Sequence, residues 1–341
     1  MSSQMHEADV FLSIAIPTYN RAEFLKETLN HIIPQVVDGV EIVVSSNAST
    51  DHTDVVMQDY VSRHPFIRFV RSDVNKGIDG NIHRCTLESR GKYVHLMSDD
   101  DIVLPGTVAH LLETIKKYPE AGFLFFNLQS FSGEFRTDNL CSPIFRAEKD
   151  IVFADKNKFI DYIWVFATFM SSFVFSKDTW NCVENKEKYI GTDIYLSYVM
   201  FEQLNHTTHA LFIARPSIAV RAQYTGSYRI FYAFAHQWSR LLLERAIELG
   251  YDKKTMRRVF NRTIILDLVA RVYFIKSRRV KSSIDKQSLQ YIFASTYSFP
   301  SAWLLLYPSL VLPSKITKLL LMVCQNIYLF LEQRKRLSLK C

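Results

Sequence analysis

Three consecutive aspartates, Asp99-Asp100-Asp101, are the residues most able to do chemistry in this chain. Adjacent carboxylates repel one another, and capping a helix needs only one of them. A hard divalent cation offsets the repulsion, because Mg²⁺ and Mn²⁺ take carboxylate oxygens together with substrate phosphates. Three further polar clusters have the same placement, each directly after an apolar run. They are Pro17-Thr18-Tyr19-Asn20-Arg21, Ser45 to Asp51 (SSNASTD), and Asp73-Val74-Asn75-Lys76-Gly77. Structural readings stand beside these. Asn20 with Glu23 can form a capping box, Ser49 or Asp51 can cap a helix, and Gly77 can serve a turn.

The elements that position these clusters are legible from periodicity. Strand-like runs occupy 11–16, 40–46, 66–71, 92–97 and 121–128, several of them near-continuous apolar runs, as in strands buried on both faces. Helical patterns at 21–34, 51–63, 78–90 and 105–118 separate them. The alternation predicts an α/β fold with a doubly wound sheet, in which ligands bind beyond the carboxyl ends of the strands. All four clusters fall there.

The clusters resemble the nucleotide-sugar-dependent glycosyltransferases of family 2, which have the GT-A fold with a mixed sheet. The family's P-T-Y-N-R strand end is matched by Pro17 to Arg21. Its D-D-G-S-T-D loop corresponds to Ser46-Asn47-Ala48-Ser49-Thr50-Asp51, and its N-x-G with a following Asn to Asn75, Gly77 and Asn81. Its G-x-Y-[IV] and D-x-D motifs correspond to Gly91-Lys92-Tyr93-Val94 and Asp99 to Asp101. The similarity covers about residues 10–225. It implies that Pro17, Thr18, Tyr19, Arg21, Ser46, Asn47, Asn75, Gly77, Asn81, Asp99 and Asp100 line the donor site. It also implies Mn²⁺ or Mg²⁺ on the donor diphosphate. Asp99 and Asp101 form a literal D-x-D pair, while alignment on Ile102 favours Asp100 and Asp101.

Two positions depart from the family. An Asp that accepts from uracil N3–H is replaced by Ser46, which can also donate; cytosine N3 is an acceptor, so a CDP-sugar fits better. The family's E-D pair opening a helix is matched by Thr192-Asp193, with Asp193 as the implied catalytic base or as a cap on a helix over 193–204. The layout is most like the abequosyltransferases of O-antigen assembly, which use a CDP-3,6-dideoxyhexose and a mannose of a lipid-linked oligosaccharide. Their α donors and α linkages imply retention, in tension with a simple in-line base. The family's lid places Arg221 on the diphosphate, near Arg215, Tyr224 and Ser227. Trp164, Phe166 and Trp180 are either sugar platforms or core aromatics.

Composition bounds the rest. The chain has 341 residues, 48% hydrophobic and 22% charged, which reads as globular. Five scattered cysteines with no C-x-x-C pair argue for reduced thiols, and the N-terminus has no signal-peptide pattern. Residues 250–341 carry 17 Lys/Arg against 4 Asp/Glu, a balance of +13, whereas residues 1–249 balance at −6. The basic region contains two apolar runs, 301–312 and 319–331, each too short to span a bilayer. Arg278, Arg279 and Lys281 precede them, and Arg334, Lys335 and Arg336 follow. Helices are expected over 229–249 and 255–277. The expected division is a catalytic domain over 1–228 and a helical region over 229–341 that lies on a membrane surface. A packed helical subdomain is the alternative, and the tail could also dimerise. A homo-oligomer is therefore a possible partner, and no nucleic-acid motif is present.

The expected protein is a glycosyltransferase at the cytoplasmic face of a bacterial inner membrane, with a nucleotide-sugar donor and a lipid-linked oligosaccharide acceptor. A nucleotidyltransferase would want a glycine-rich basic loop where Pro17 to Asn20 stand. A non-catalytic nucleotide-sugar scaffold would not need the acidic triplet.

Overall fold

The structure is a computed structural model and describes residues 10–222, 229–277 and 283–338, with 327–338 as backbone alone. Tyr224, Ser227, Arg278, Arg279, Lys281 and the side chains of Arg334, Lys335 and Arg336 lie outside the described residues. The chain divides into two compact units, Met1–Phe159 with Ala167–Gln223, and Ile160–Phe166 with Tyr224–Cys341.

The first unit is built on a nine-stranded sheet. Its strands are β1 (Leu12–Thr18), β2 (Val40–Ser46), β3 (Ile67–Arg71), β4 (Tyr93–Leu96), β5 (Ile102–Val103), β6 (Ala121–Phe131), β7 (Ile151–Phe153), β8 (Phe173–Ser176) and β9 (His209–Arg221). They lie in the order β3-β2-β1-β4-β8-β6-β9-β5, with β7 also on β9. β3, β2, β1 and β4 are parallel, β8 is antiparallel to both β4 and β6, and β6 is parallel to β9. Every residue of β1 and β2 is buried, as their largely apolar runs lead one to expect, with Ser13 and Glu41 paired to each other inside the sheet.

Helices α1 (Ala22–Ile32), α2 (Thr53–Arg63), α3 (Gly77–Glu88) and α4 (Thr107–Lys117) connect the early strands; α5 (Lys156–Ile163), α6 (Lys177–Asn181) and α7 (Tyr195–Gln203) follow. After β3 the chain returns to the other side of β1 to form β4, so the topological switch point lies between β1 and β4. At the opposite strand ends the Ser13 hydroxyl donates to Glu41 at 2.6 Å and accepts from the Gly91 N–H at 2.8 Å. A Cβ on Gly91 would meet the Ser13 nitrogen at 2.5 Å, so the backbones approach as only glycine permits.

The second unit is helical. Where the sequence pattern implies regular α-helices, the stretches Tyr232–Gln237, Leu241–Arg245, Thr263–Leu268 and Ala302–Leu306 are wound wider, as π-helix. Residues 160–166 belong with this unit. Asp161 pairs with Arg258 at 2.9 Å, and the Arg262 guanidinium lies 4.2 Å from the Trp164 ring centre. The helix Ser314–Ser338 turns Thr317, Leu321 and Cys324 inward. Its opposite face is also apolar, with Ile316, Leu319, Met322 and Val323 exposed. Phe293, Tyr297, Trp303 and Leu304 are exposed in the same unit, and Phe293 and Trp303 rings pack edge to face. Among the described residues no helix is long and apolar enough to cross a membrane, and the four described cysteines are free thiols.

Candidate active site

The switch point brings the first and fourth clusters together. The Thr18 hydroxyl, at the end of β1, donates to Asp99 Oδ2 at 2.7 Å. Arg21 reaches across with both terminal nitrogens, Nη1 to Asp99 Oδ1 at 2.9 Å and Nη2 to Asp100 Oδ2 at 2.6 Å. The Ser98 hydroxyl donates to Asp100 Oδ1 at 2.6 Å. Asp101 Oδ2 accepts from the Ser171 hydroxyl at 2.6 Å, and Oδ1 from the Arg221 backbone N–H at 3.2 Å. Thr28, inside α1, sets its hydroxyl 3.0 and 2.9 Å from the carbonyls of Asp99 and Asp101. The acidic loop is therefore held from β1, α1 and β9.

Asp99 and Asp101 are buried, while Asp100 is more open. Burial pushes the Asp99 carboxyl up to about 6 against the pull of Arg21. Burial and the adjacent Asp100 push Asp101 up to about 7. The Arg21 guanidinium pairs with Asp99 and Asp100, and Asp101 is held by the Ser171 hydroxyl and the Arg221 N–H. Among the described residues no three or more His, Cys, Asp or Glu side chains are arranged to hold a metal ion. The donor set fits a cation shared with a diphosphate, which needs only one or two carboxylates, and does not fit a protein-only metal cage.

The second and third clusters are stitched to each other. Asn47 Nδ2 donates to Asn75 Oδ1 at 2.8 Å and to the Gly77 carbonyl at 3.0 Å, and Asn47 Oδ1 accepts the Lys76 N–H at 2.9 Å. Gly77 has φ +73, so it serves both the turn and the start of α3. The Asn20 side chain forms no capping box. Its Oδ1 accepts from the Thr50 N–H at 2.7 Å and ties the first cluster to the second. Asp51 Oδ1 accepts from the Thr53 N–H at 3.0 Å at the start of α2.

Several expected donor-site residues face inward. Pro17 is buried in β1 opposite Ser45. Asn81 spends Nδ2 on the carbonyls of Thr18 and Ser45, at 3.2 and 2.9 Å, and Oδ1 on the Ser45 hydroxyl. Ser46 is buried and donates to Ser49 Oγ at 2.9 Å, so the hydroxyl assigned to a pyrimidine is engaged within its own loop. Tyr19 is exposed at the loop tip.

Arg221 is also turned inward. Its guanidinium bonds Glu27 at 2.6 Å, the Asp100 carbonyl at 3.3 Å and the Gly133 carbonyl at 2.7 Å, between the rings of Phe24 and Phe131. It braces the acidic loop, where the sequence implied a phosphate contact. Arg215 donates to the Pro105 carbonyl. Trp180 is buried against His83, with the ammonium groups of Lys177 and Lys186 over its ring. Trp164 packs on Phe166 and Arg262. These are packing aromatics.

Asp193 precedes α7 in a left-handed conformation, φ +61, and no side chain caps that helix. Its loop is held instead by a residue the sequence reading passed over. Asp79 is buried in the first turn of α3 and accepts the N–H groups of Gly191 and Asp193 at 2.9 and 2.8 Å on Oδ2, and of Tyr195 at 3.3 Å on Oδ1. Burial pushes its carboxyl up to about 6 although three N–H groups favour the charged form. In sequence, an acid in a first helical turn reads as a partner for the helix dipole, which hides its long-range role.

With this geometry in place, similarity to known proteins is decisive. Residues 13–178 match the sequence model described as Glycosyl transferase family 2. Residues 13–178 are a family 2 glycosyltransferase domain. The chain is 26% identical over 224 residues to abequosyltransferase RfbV of Salmonella typhimurium, covering 62% of this chain and 67% of that protein. It is 24% identical over 255 residues to GalNAc(5)-diNAcBac-PP-undecaprenol beta-1,3-glucosyltransferase of Campylobacter jejuni, covering 71% and 77%. In structure it is similar to S. aureus TarS 1–349 solved with UDP-GlcNAc, at TM-score 0.61 and 13% identity, over 93% of this chain and 92% of that one. The mixed sheet of the first unit with its flanking helices is the GT-A fold, as the motifs implied.

Proposed function

We propose that this glycosyltransferase moves a sugar from a nucleoside-diphosphate donor to a hydroxyl of a saccharide carried on polyprenyl diphosphate. The observation that carries the reading is the buried acidic loop, with Asp99 and Asp101 held above their ordinary carboxyl range beside the β1–β4 switch point. Asp99 and Asp101 are the carboxylates that would hold Mn²⁺ or Mg²⁺, which supplies positive charge to the departing diphosphate. Thr18, Arg21 and Ser171 orient those carboxylates; Asn47, Asn75 and Gly77 shape the nucleoside end. Asp193 takes the proton of the acceptor hydroxyl as its oxygen attacks the anomeric carbon, and the nucleoside diphosphate leaves with the bonding electrons.

The donor is a CDP-sugar on this reading, best CDP-abequose with mannose as acceptor, and the in-line base role of Asp193 then requires transfer with inversion at the anomeric carbon. The similarity to an abequosyltransferase supports it, as does the exchange of the family's Asp for Ser46. A second reading, a UDP-hexose, is favoured by the bond from Ser46 to Ser49, which occupies the donor that cytosine would need. The second unit lies on the cytoplasmic leaflet of a bacterial inner membrane. Its exposed Phe293, Trp303, Leu304 and Leu319 beside a +13 region suit an anionic bilayer surface, to which no helix needs to commit a span.

Asp193→Ala tests the chemistry. Transfer from the sugar nucleotide should be abolished and nucleoside-diphosphate binding retained. Wild-type turnover in the variant would refute the assigned base.

A further inference from the structure

We propose that Asp79 is the positioning residue for the catalytic loop, fixing Asp193 relative to the nucleotide loops. The proposal rests on Asp193 acting as the base. Three backbone N–H groups from one short segment, those of Gly191, Asp193 and Tyr195, converge on this single buried carboxylate. Convergent amides of this kind form an anion nest, here filled by a side chain from another helix. The segment is bent to suit it, with Gly191 at φ +96 and Asp193 at φ +61. A left-handed Asp persists where surrounding bonds over-determine it.

The same helix face holds the segment a second time. One turn beyond Asp79, His83 Nδ1 lies 2.7 Å from the Tyr195 hydroxyl, and His83 Nε2 lies 3.4 Å from Glu187. Two residues before Asp79, α3 begins at Gly77, whose carbonyl accepts from Asn47 and whose N–H donates to Asn75 Oδ1 at 2.8 Å. One rigid element thus carries the nucleoside loops at its N-terminus and the Asp193 segment on its side. Proton transfer demands near-attack geometry, and a displacement of about 1 Å can cost about 10²-fold in rate. Removing the anchor should therefore lower turnover without loosening the nucleotide.

The test compares Asp79→Asn, Gly191→Ala and Asp193→Ala with wild type. Asp79→Asn keeps the volume and loses the carboxylate. Gly191→Ala strains the segment from its own side, with nothing within 4 Å of the added Cβ. Three quantities are read: calorimetric binding of CDP and UDP with Mn²⁺, release of nucleoside diphosphate from the bound sugar nucleotide per binding site, and amide hydrogen exchange at 191–195. Normalising to nucleotide-binding sites removes any loss from misfolded protein. For Asp79→Asn and Gly191→Ala the expected result is nucleotide affinity within about threefold of wild type, turnover down about 30- to 100-fold, and faster exchange at 191–195. An inactive Asp193→Ala with Asp79→Asn and Gly191→Ala both within threefold of wild-type turnover would overturn the positioning role alone. An active Asp193→Ala would overturn the base and this inference with it.

Discussion

Arg21 bridges two consecutive aspartates, with Nη1 2.9 Å from Asp99 and Nη2 2.6 Å from Asp100. The fork geometry of a guanidinium makes this possible, and an ammonium has no equivalent. Its ring neighbour Phe24, 5.1 Å away, keeps the guanidinium in place. Arg21→Lys should therefore satisfy one carboxylate and abandon the other. The expected cost is about 2 kcal/mol in urea unfolding, since Arg21 is only partly buried and a fully buried pair would lose more. An unfolding curve that matches wild type would show that the bridge carries no weight.

The raised carboxyls of Asp99 and Asp101 make stability depend on pH. Their native values, about 6 and about 7, stand above the unfolded value, so the native state holds those protons more tightly. That contribution is complete below about pH 4 and is lost as pH rises through about 7. In metal-free protein, Asp101→Asn should flatten the loss of stability between pH 4 and 8. Binding of Mn²⁺ with a nucleoside diphosphate releases those protons, so its affinity should tighten from pH 6 to pH 8. Thermal unfolding and calorimetry across that range check both statements.

Gly91 tests the packing far from the chemistry. A methyl group there meets the Ser13 nitrogen at 2.5 Å and the Leu12 carbonyl carbon at 2.8 Å, and neither can yield without moving β1. Gly91→Ala should destabilise the first unit by about 2–3 kcal/mol. Nucleotide binding should persist in the folded fraction.

The membrane reading is checked by vesicle flotation. Wild-type protein should float with vesicles containing phosphatidylglycerol and remain behind with pure phosphatidylcholine. Trp303→Glu with Leu319→Glu, both on exposed positions, should abolish flotation and leave nucleotide binding intact. Flotation unchanged by the double substitution would exclude this face.

The four strand ends that carry the candidate site were legible because parallel strands leave largely apolar runs, near-continuous where both faces are buried as in β1 and β2, and each run stops at a polar cluster. Thr18, Arg21 and the aspartates were legible for the same reason. The roles of Asp79 and Arg221 were not. Asp79 acts on backbone more than a hundred residues away, and no local pattern records a backbone partner. Arg221 looks like a free cation in sequence, yet Glu27 and two carbonyls occupy it once β9 lies beside the acidic loop. Residues 160–166 escaped the two-part division because pairing of Asp161 with Arg258 is a tertiary event.

The central claim is that the acidic loop binds a nucleoside diphosphate through a divalent cation. Calorimetric titration of CDP, UDP and GDP with Mn²⁺, on wild type and on Asp101→Ala, tests it most directly. The account predicts Mn²⁺-dependent binding of CDP in preference to UDP and GDP, lost in the variant. Preference for UDP would keep the glycosyltransferase and discard the CDP-sugar assignment. Equal nucleotide binding by wild type and Asp101→Ala, with or without Mn²⁺, would contradict the account.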